Sequence, residues 1–298
     1  MLTAFDHIII GVNDLPKADQ IFAERLGLIS SGGGNHPSGG TANRIIVIGD
    51  TYLELIAVRA QDEAQQSMLT RLAQGDGYMN FVLASDDIQH DSRAMFERGV
   101  KVIGPNEGSL KSANGISRSW QRTDVERPDL TQHYPFIIQH DSSGEERQRR
   151  LAGGNPPPSH PLGAQKVLSA TLAVSDLSEA SQRFQRIYGF APSTPRQTTA
   201  WGAEVVSFVL SDKQQRLELS APTAELQVKL PEEARLATHL HTFGESLYRI
   251  TLGVKHFATS QHYLDIHKVS YTILQDEQPT LWIGPDQTSG ALIVLQES

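Results

Sequence analysis

Val12-Asn13-Asp14-Leu15 and Val174-Ser175-Asp176-Leu177 lie 162 residues apart, and the register between them holds without a gap through Leu28 and Phe190. Seven of the seventeen aligned positions are identical, which makes the chain an internal repeat before any element is assigned. The identities fall where a helix needs them. Asp14 and Asp176 are placed to accept the first free N–H groups, Ala18/Ala180 and Phe22/Phe184 mark an inner face, and Gly27/Gly189 sit where the helix must stop.

A β-branched run precedes each helix, at residues 8–12 and 167–174. Alternating stretches follow, at 41–49 and 51–58 around the tight-turn pair Gly49-Asp50, and at 204–210 and 216–220 around 211–215. Leu53-Glu54-Leu55 and Leu217-Glu218-Leu219 then occupy matching places. Two weaker copies fill the gaps. One has strands at 78–84, 115–123 and 134–140 with a helix at 88–98; the other has strands at 247–254, 269–274, 280–283 and 291–295 with a helix at 258–267. The pattern predicts an α+β chain of four βαβββ units in two pairs. Residues 142–161 are polar, then charged, then rich in proline, and predict a linker with a break near 155. The expected domains are 1–150 and 151–298, with Arg147, Arg149 and Arg150 read as solvated linker charges.

Composition narrows the function classes. Twenty-six basic against thirty-four acidic side chains give a net charge of −8, with no long basic stretch, so nucleic acid is not an expected partner. The absence of cysteine removes thiolate chemistry and leaves His, Asp and Glu as ligands. No apolar run approaches the ~20 residues that cross a bilayer. The start has no basic segment before an apolar one, so a cytoplasmic protein without a membrane partner is expected.

Period two along the first strand puts His7, Ile9 and Gly11 on one face and Ile8, Ile10 and Val12 on the other. A two-residue turn at Gly49-Asp50 sets Ile48 opposite Thr51, Ile45 opposite Glu54 and Asn43 opposite Ile56. Thr41, Asn43 and Glu54 then share a face, and a carboxylate flanked by leucines is explained if it looks into a cavity. Arg118 and Trp120 share a strand face in the second unit and would suit an anionic ligand with an apolar body.

Phe5-Asp6-His7, Gly34-Asn35-His36-Pro37, Gly40-Thr41-Ala42-Asn43-Arg44 and Tyr52-Leu53-Glu54-Leu55, in that order, resemble the glyoxalase-like domain of the vicinal oxygen chelate superfamily over about residues 3–140. The second half matches the general repeat alone. The resemblance implies two cupped mixed sheets with helices on their outer faces and ligands bound in the cup. It implies His7 and Glu54 as half of a site for a divalent ion (zinc, iron, manganese or nickel). It also implies Glu54 and His36 as proton-transfer groups, Pro37 stiffening the loop of the latter. Thr41 and Asn43 could orient a carbonyl or carboxylate. The second unit presents Asn80 where a further histidine is expected and no glutamate in its last strand, although His140 ends that strand. In the second pair, Ser169, Glu218, Arg249 and Val294 stand at the ligand positions, and Arg249 is expected to pair with Glu218 in the vacated cup. A metal-assisted lyase, isomerase or dioxygenase on a small oxygen-rich substrate is one reading. A metal-free protein that binds or sequesters a small molecule is the other, and a homodimer through sheet edges is a further possibility.

Overall fold

Strand β1 (Leu2–Gly11) sends Ile8 and Ile10 into a fully buried core and His7 and Ile9 to the opposite face, as its alternation requires. The computed structural model describes residues 1–36, 38–111, 115–126, 134–210, 215–223, 229–275 and 278–298. Pro37 and residues 211–214 of the expected third-unit turn lie outside them.

After β1 the Asp14 carboxylate accepts the Lys17 N–H at 3.0 Å and starts α1 (Leu15–Gln20) with Pro16 in its first turn. The helix widens into a π-helical turn over Ile21–Arg25, and Gly27, at φ 61°, supplies the left-handed exit. A short β2 (Gly32–Asn35) leads to the hairpin of β3 (Thr41–Ile48) and β4 (Thr51–Val58), whose register pairs Ile48 with Thr51, Ile45 with Glu54 and Asn43 with Ile56, as expected. A helix absent from the repeat pattern, α2 (Gln66–Leu72), precedes the second unit. That unit comprises β5 (Gly77–Ser85), α3 (Ile88–Glu97) capped by Asp87, β6 (Val102–Lys111), β7 (Ser117–Val125) and β8 (Phe136–His140).

The eight strands form one mixed sheet in the order β2-β3-β4-β1-β5-β8-β7-β6. β1 is parallel to β4 and antiparallel to β5, so the two units join along their first strands.

Residues 144–151, taken from sequence as part of a solvated linker, are instead the helix α4 (Gly144–Leu151). Glu145 and Glu146 occupy its first turn and Arg149 and Arg150 its last, the polarity that the helix dipole favours, and Leu151 is buried against Ile45, Val47 and Tyr52.

The second half repeats the plan. β9 (Ala164–Ala173), α5 (Leu177–Tyr188), β10 (Arg196–Thr198), β11 (Ala203–Val209) and β12 (Arg216–Pro222) form its first unit. After α6 (Leu236–Phe243) come β13 (Ser246–Val254), α7 (Phe257–Ile266), β14 (Thr272–Gln275), β15 (Pro279–Ile283) and β16 (Leu292–Glu297). The order β10-β11-β12-β9-β13-β16-β15-β14 is the image of the first sheet. Asp176 accepts the Glu179 N–H at 2.8 Å, and Gly189 ends α5 at φ 76°.

The helix-covered faces of the two sheets meet in a single core in which Ile8, Ile10, Phe22 and Leu53 share one cluster with Phe184, Phe208, Ile250 and Ile293. Fully burying each such side chain is worth about 1.5–3 kcal/mol. Hydrogen bonds stitch the seam, from Tyr188 Oη to the Pro135 carbonyl at 2.7 Å and from Tyr78 Oη to the Leu292 carbonyl at 2.8 Å. The other face of each sheet turns away from this core and forms a separate hollow.

Candidate functional site

Asp6 and His7 are neighbours on a strand and should point to opposite faces. A register shift between Phe5 and His7, where β1 pairs with β5, lets His7 line the hollow of the first sheet with the Asp6 carboxyl beside its ring. The Asp6 carboxyl is buried, with His7 Nδ1 2.7 Å from its Oδ1 and Arg147 donating to its Oδ2 at 2.6 Å. His140 Nε2 lies 3.4 Å away. Burial alone would raise this carboxyl; the Arg147 guanidinium, and after it His140, outweigh burial and hold it well below the usual carboxylate range. An ionised Asp6 accepts only, so His7 donates to it from Nδ1 and presents Nε2 to the hollow.

That Nε2 faces Glu54 Oε2 at 3.8 Å. Glu54 stands on β4 between two core leucines and is buried, and its Oε1 accepts from Asn43 Nδ2 at 2.6 Å. Asn43 is held in turn, its Oδ1 accepting the Gly34 N–H at 3.0 Å and its Nδ2 lying 3.2 Å from His36 Nε2. With Asn43 as the donor, His36 accepts at Nε2 and donates from Nδ1 to Thr41 Oγ1 at 2.7 Å. His36 Nε2 is 3.5 Å from Glu54 Oε1. The Nε2 edges of two imidazoles therefore bracket one buried carboxylate, and Thr41 and Asn43 are engaged in orienting that array. The His7 ring also stacks on Tyr52, centroids 4.6 Å apart at 10°. Burial, and after it Asp6 and Glu54, pushes the Tyr52 phenol well up, so it stays neutral.

His7, His36, Tyr52 and Glu54 line a cavity of about 560 Å³. His7, His36, Thr41, Asn43 and Glu54 form one side, and Arg118 and Trp120 of β7 also face it, so all seven residues singled out from the sequence meet in one hollow. Phe136 and Ile138 continue the wall, with the Arg122 guanidinium 3.7 Å over the Phe136 ring. Arg122 is committed to Asp124, whereas no side-chain hydrogen bond or ion pair joins the Arg118 guanidinium to another described residue.

The donor set is a poor match to a resident divalent ion. Among the described residues no group of three or more His, Asp or Glu side chains is placed to share one. Asn80 faces the cavity where an imidazole would be needed, and His36 Nε2 is turned to Asn43. Sequence reasoning missed Asp6, Arg147 and Tyr52. The Asp-His pair was visible, but neither the bulge that aims it nor the helix that supplies the arginine has a sequence signature.

The hollow of the second sheet is filled. Trp201, Tyr248, Trp282, Leu230 and Leu236 form a buried cluster there, with Leu240 of α6 against it. The pair expected from sequence is present: Arg249 donates to Glu218 at 3.2 Å, its guanidinium 4.7 Å from the Trp201 ring and 4.8 Å from that of Trp282. His239 lies on α6 and reaches Ser246 Oγ at 2.9 Å.

Comparison with known proteins agrees with this architecture. A hypothetical protein from Staphylococcus aureus superposes with a TM-score of 0.67 at 14% identity, covering 99% of both chains. A mutant of 4-hydroxymandelate synthase from Streptomyces coelicolor superposes with a TM-score of 0.65 at 10% identity, covering 99% of this chain and 93% of the other. At such identities the likeness is one of fold. No curated protein matches the sequence. The family model described as the glyoxalase-like domain matches residues 5–188, more than half of the chain and the whole of the first hollow, and the protein belongs to that family.

Proposed function

We propose that the first hollow binds a small organic anion and moves a proton on it without a resident metal ion. The observation that carries this reading is the buried Glu54 carboxylate bracketed by the Nε2 atoms of His7 and His36, at 3.8 and 3.5 Å, each imidazole fixed from behind through Nδ1. A desolvated carboxylate beside two oriented imidazoles is a proton-transfer set. In this reading Glu54 takes a proton from a carbon next to a carbonyl, whose oxygen receives the electron pair. The electron pair then returns either to that carbon, which is reprotonated on its other face as in an epimerising isomerase, or toward the adjoining carbon, where the bond to a leaving group breaks and that group takes the proton through an imidazole, as in a lyase. Arg118 anchors the anionic end, and Trp120 and Phe136 hold the apolar body.

The test is hydrogen exchange in D2O, followed by NMR, over a panel of carboxylates that carry a C–H next to a carbonyl, with chelator-treated protein. Wild type is expected to exchange that hydrogen, and Glu54→Gln to lose the rate by roughly 10²–10⁴-fold while still binding. No exchange, or exchange only after a divalent ion is added, overturns the reading. The aromatic wall of Trp120 and Phe136 favours one alternative, a sequestering protein, for which tight binding without exchange is the signature.

A further inference from the structure

We propose that Arg147, from the helix between the two repeat pairs, is a positioning residue of the first hollow: through Asp6 and Tyr52 it fixes the His7 imidazole with Nδ1–H inward and the Nε2 lone pair toward the ligand. The proposal rests on the reading above only in treating His7 as a working group.

Three observations converge on it. The Arg147 side chain is nearly enclosed, 11% exposed against 3% for that of Asp6, so the pair is a buried one rather than a surface ion pair. It spans three acceptors, donating to Asp6 Oδ2 at 2.6 Å, to the Asp6 carbonyl at 3.3 Å and to the Asp50 carbonyl at 2.6 Å. The last two acceptors belong to the bulged segment of β1 and to the β3–β4 turn, so one side chain ties together the strands that carry His7 and Glu54. Finally, it lies 5.6 Å over the Tyr52 ring, the ring on which His7 stacks. The imidazole is thus braced from its edge by Asp6 and from its face by Tyr52, with Arg147 behind both.

The planar fork explains why arginine stands here. One guanidinium can donate to a carboxylate and two carbonyls at once while covering an aromatic face, which an ammonium cannot do. Arg147 is the permanently charged group against Asp6; His7 and His140 are its other partners. Without Arg147 the Asp6 carboxylate loses its guanidinium donor, and the bulge of β1 and the β3–β4 turn lose their common tie, so the edge and the face against which the His7 ring rests are both released.

The test is made on the full chain at one fixed neutral pH. Nitrogen-15 spectra of His7 are recorded for wild type, Arg147→Gln, Arg147→Met and Arg147→Lys, with the exchange assay and ligand affinity measured in parallel. Wild type is expected to show a protonated Nδ1 and an unprotonated Nε2. The two neutral variants are expected to give mixed tautomers or an imidazolium, with turnover lower by roughly 10–100-fold and affinity little changed. Arg147→Lys, which keeps the charge, should restore the tautomer in part and the rate to an intermediate value. Should the neutral variants fail to fold, Arg147→Lys decides alone, by a displaced His7 signal and a lowered rate. A purely structural brace would lower the melting temperature and leave the His7 nitrogens and the rate at wild-type values in every folded variant, and that result overturns the proposal. The spectra need no substrate, so a wild type without exchange activity would sink the proton-transfer reading while the role of Arg147 was still decided.

Discussion

Asn43 holds the array at the residue scale, because its one amide serves Glu54, His36 and the Gly34 N–H together. Replacing it by leucine keeps the volume and removes all three contacts, leaving a buried carboxylate without its donor. Asn43→Leu is expected to cost about 1–3 kcal/mol in urea unfolding and to slow exchange at least as much as it destabilises. Unchanged stability would show that Glu54 finds another donor. The inward-facing set was legible here: period two aimed His7, and the two-residue turn fixed which residues share a face with Glu54. Asp6 was not, since period two sends it to the core and only the bulge recovers it.

At the scale of elements, α4 shows where composition misleads. Charged and proline-rich stretches read alike as linkers, yet only the second part of this one is irregular. The first part is ordered by tertiary contacts no local pattern reveals, Leu151 docking on β3 and β4 and Gln148 donating to the Gly49 carbonyl at 2.8 Å. The glycine-rich β2 has a matching role. A Cβ on Gly32 would stand 2.1 Å from the Leu151 carbonyl oxygen, so the strand and the helix touch backbone to backbone. Gly32→Ala is expected to displace α4, to lower stability by about 1–3 kcal/mol as overpacking does, and to alter the His7 signal through Arg147. A crystal structure of the variant with α4 in place would refute the coupling. The caps of α1 and α5, by contrast, were legible, because Asp14 and Asp176 act within one turn of themselves.

Across the whole molecule the repeat was legible because both halves keep the same strand order, while the way they join was not. Arg71 of α2 illustrates the join, its guanidinium 4.6 Å over the Phe243 ring of α6. Beside it, burial and then Arg71 lower the His239 imidazole from its ordinary 6.5 to about 4. A depressed folded-state value means that His239 supports stability fully above about 6.5. That support is lost as pH falls toward about 4, because the unfolded chain takes up the proton first. Unfolding free energy should therefore decline between pH 7 and pH 5, and His239→Gln should flatten the decline; parallel slopes for the two proteins would exclude this histidine as its source.

The later hollow carries a different consequence. Its guanidinium reaches the Glu218 carboxylate while lying against two indole rings, inside a buried cluster that takes up the room a solute would need. One copy of the duplicated fold thus spends its inner face on cohesion, whereas the earlier copy leaves nitrogens and oxygens displayed to an open chamber.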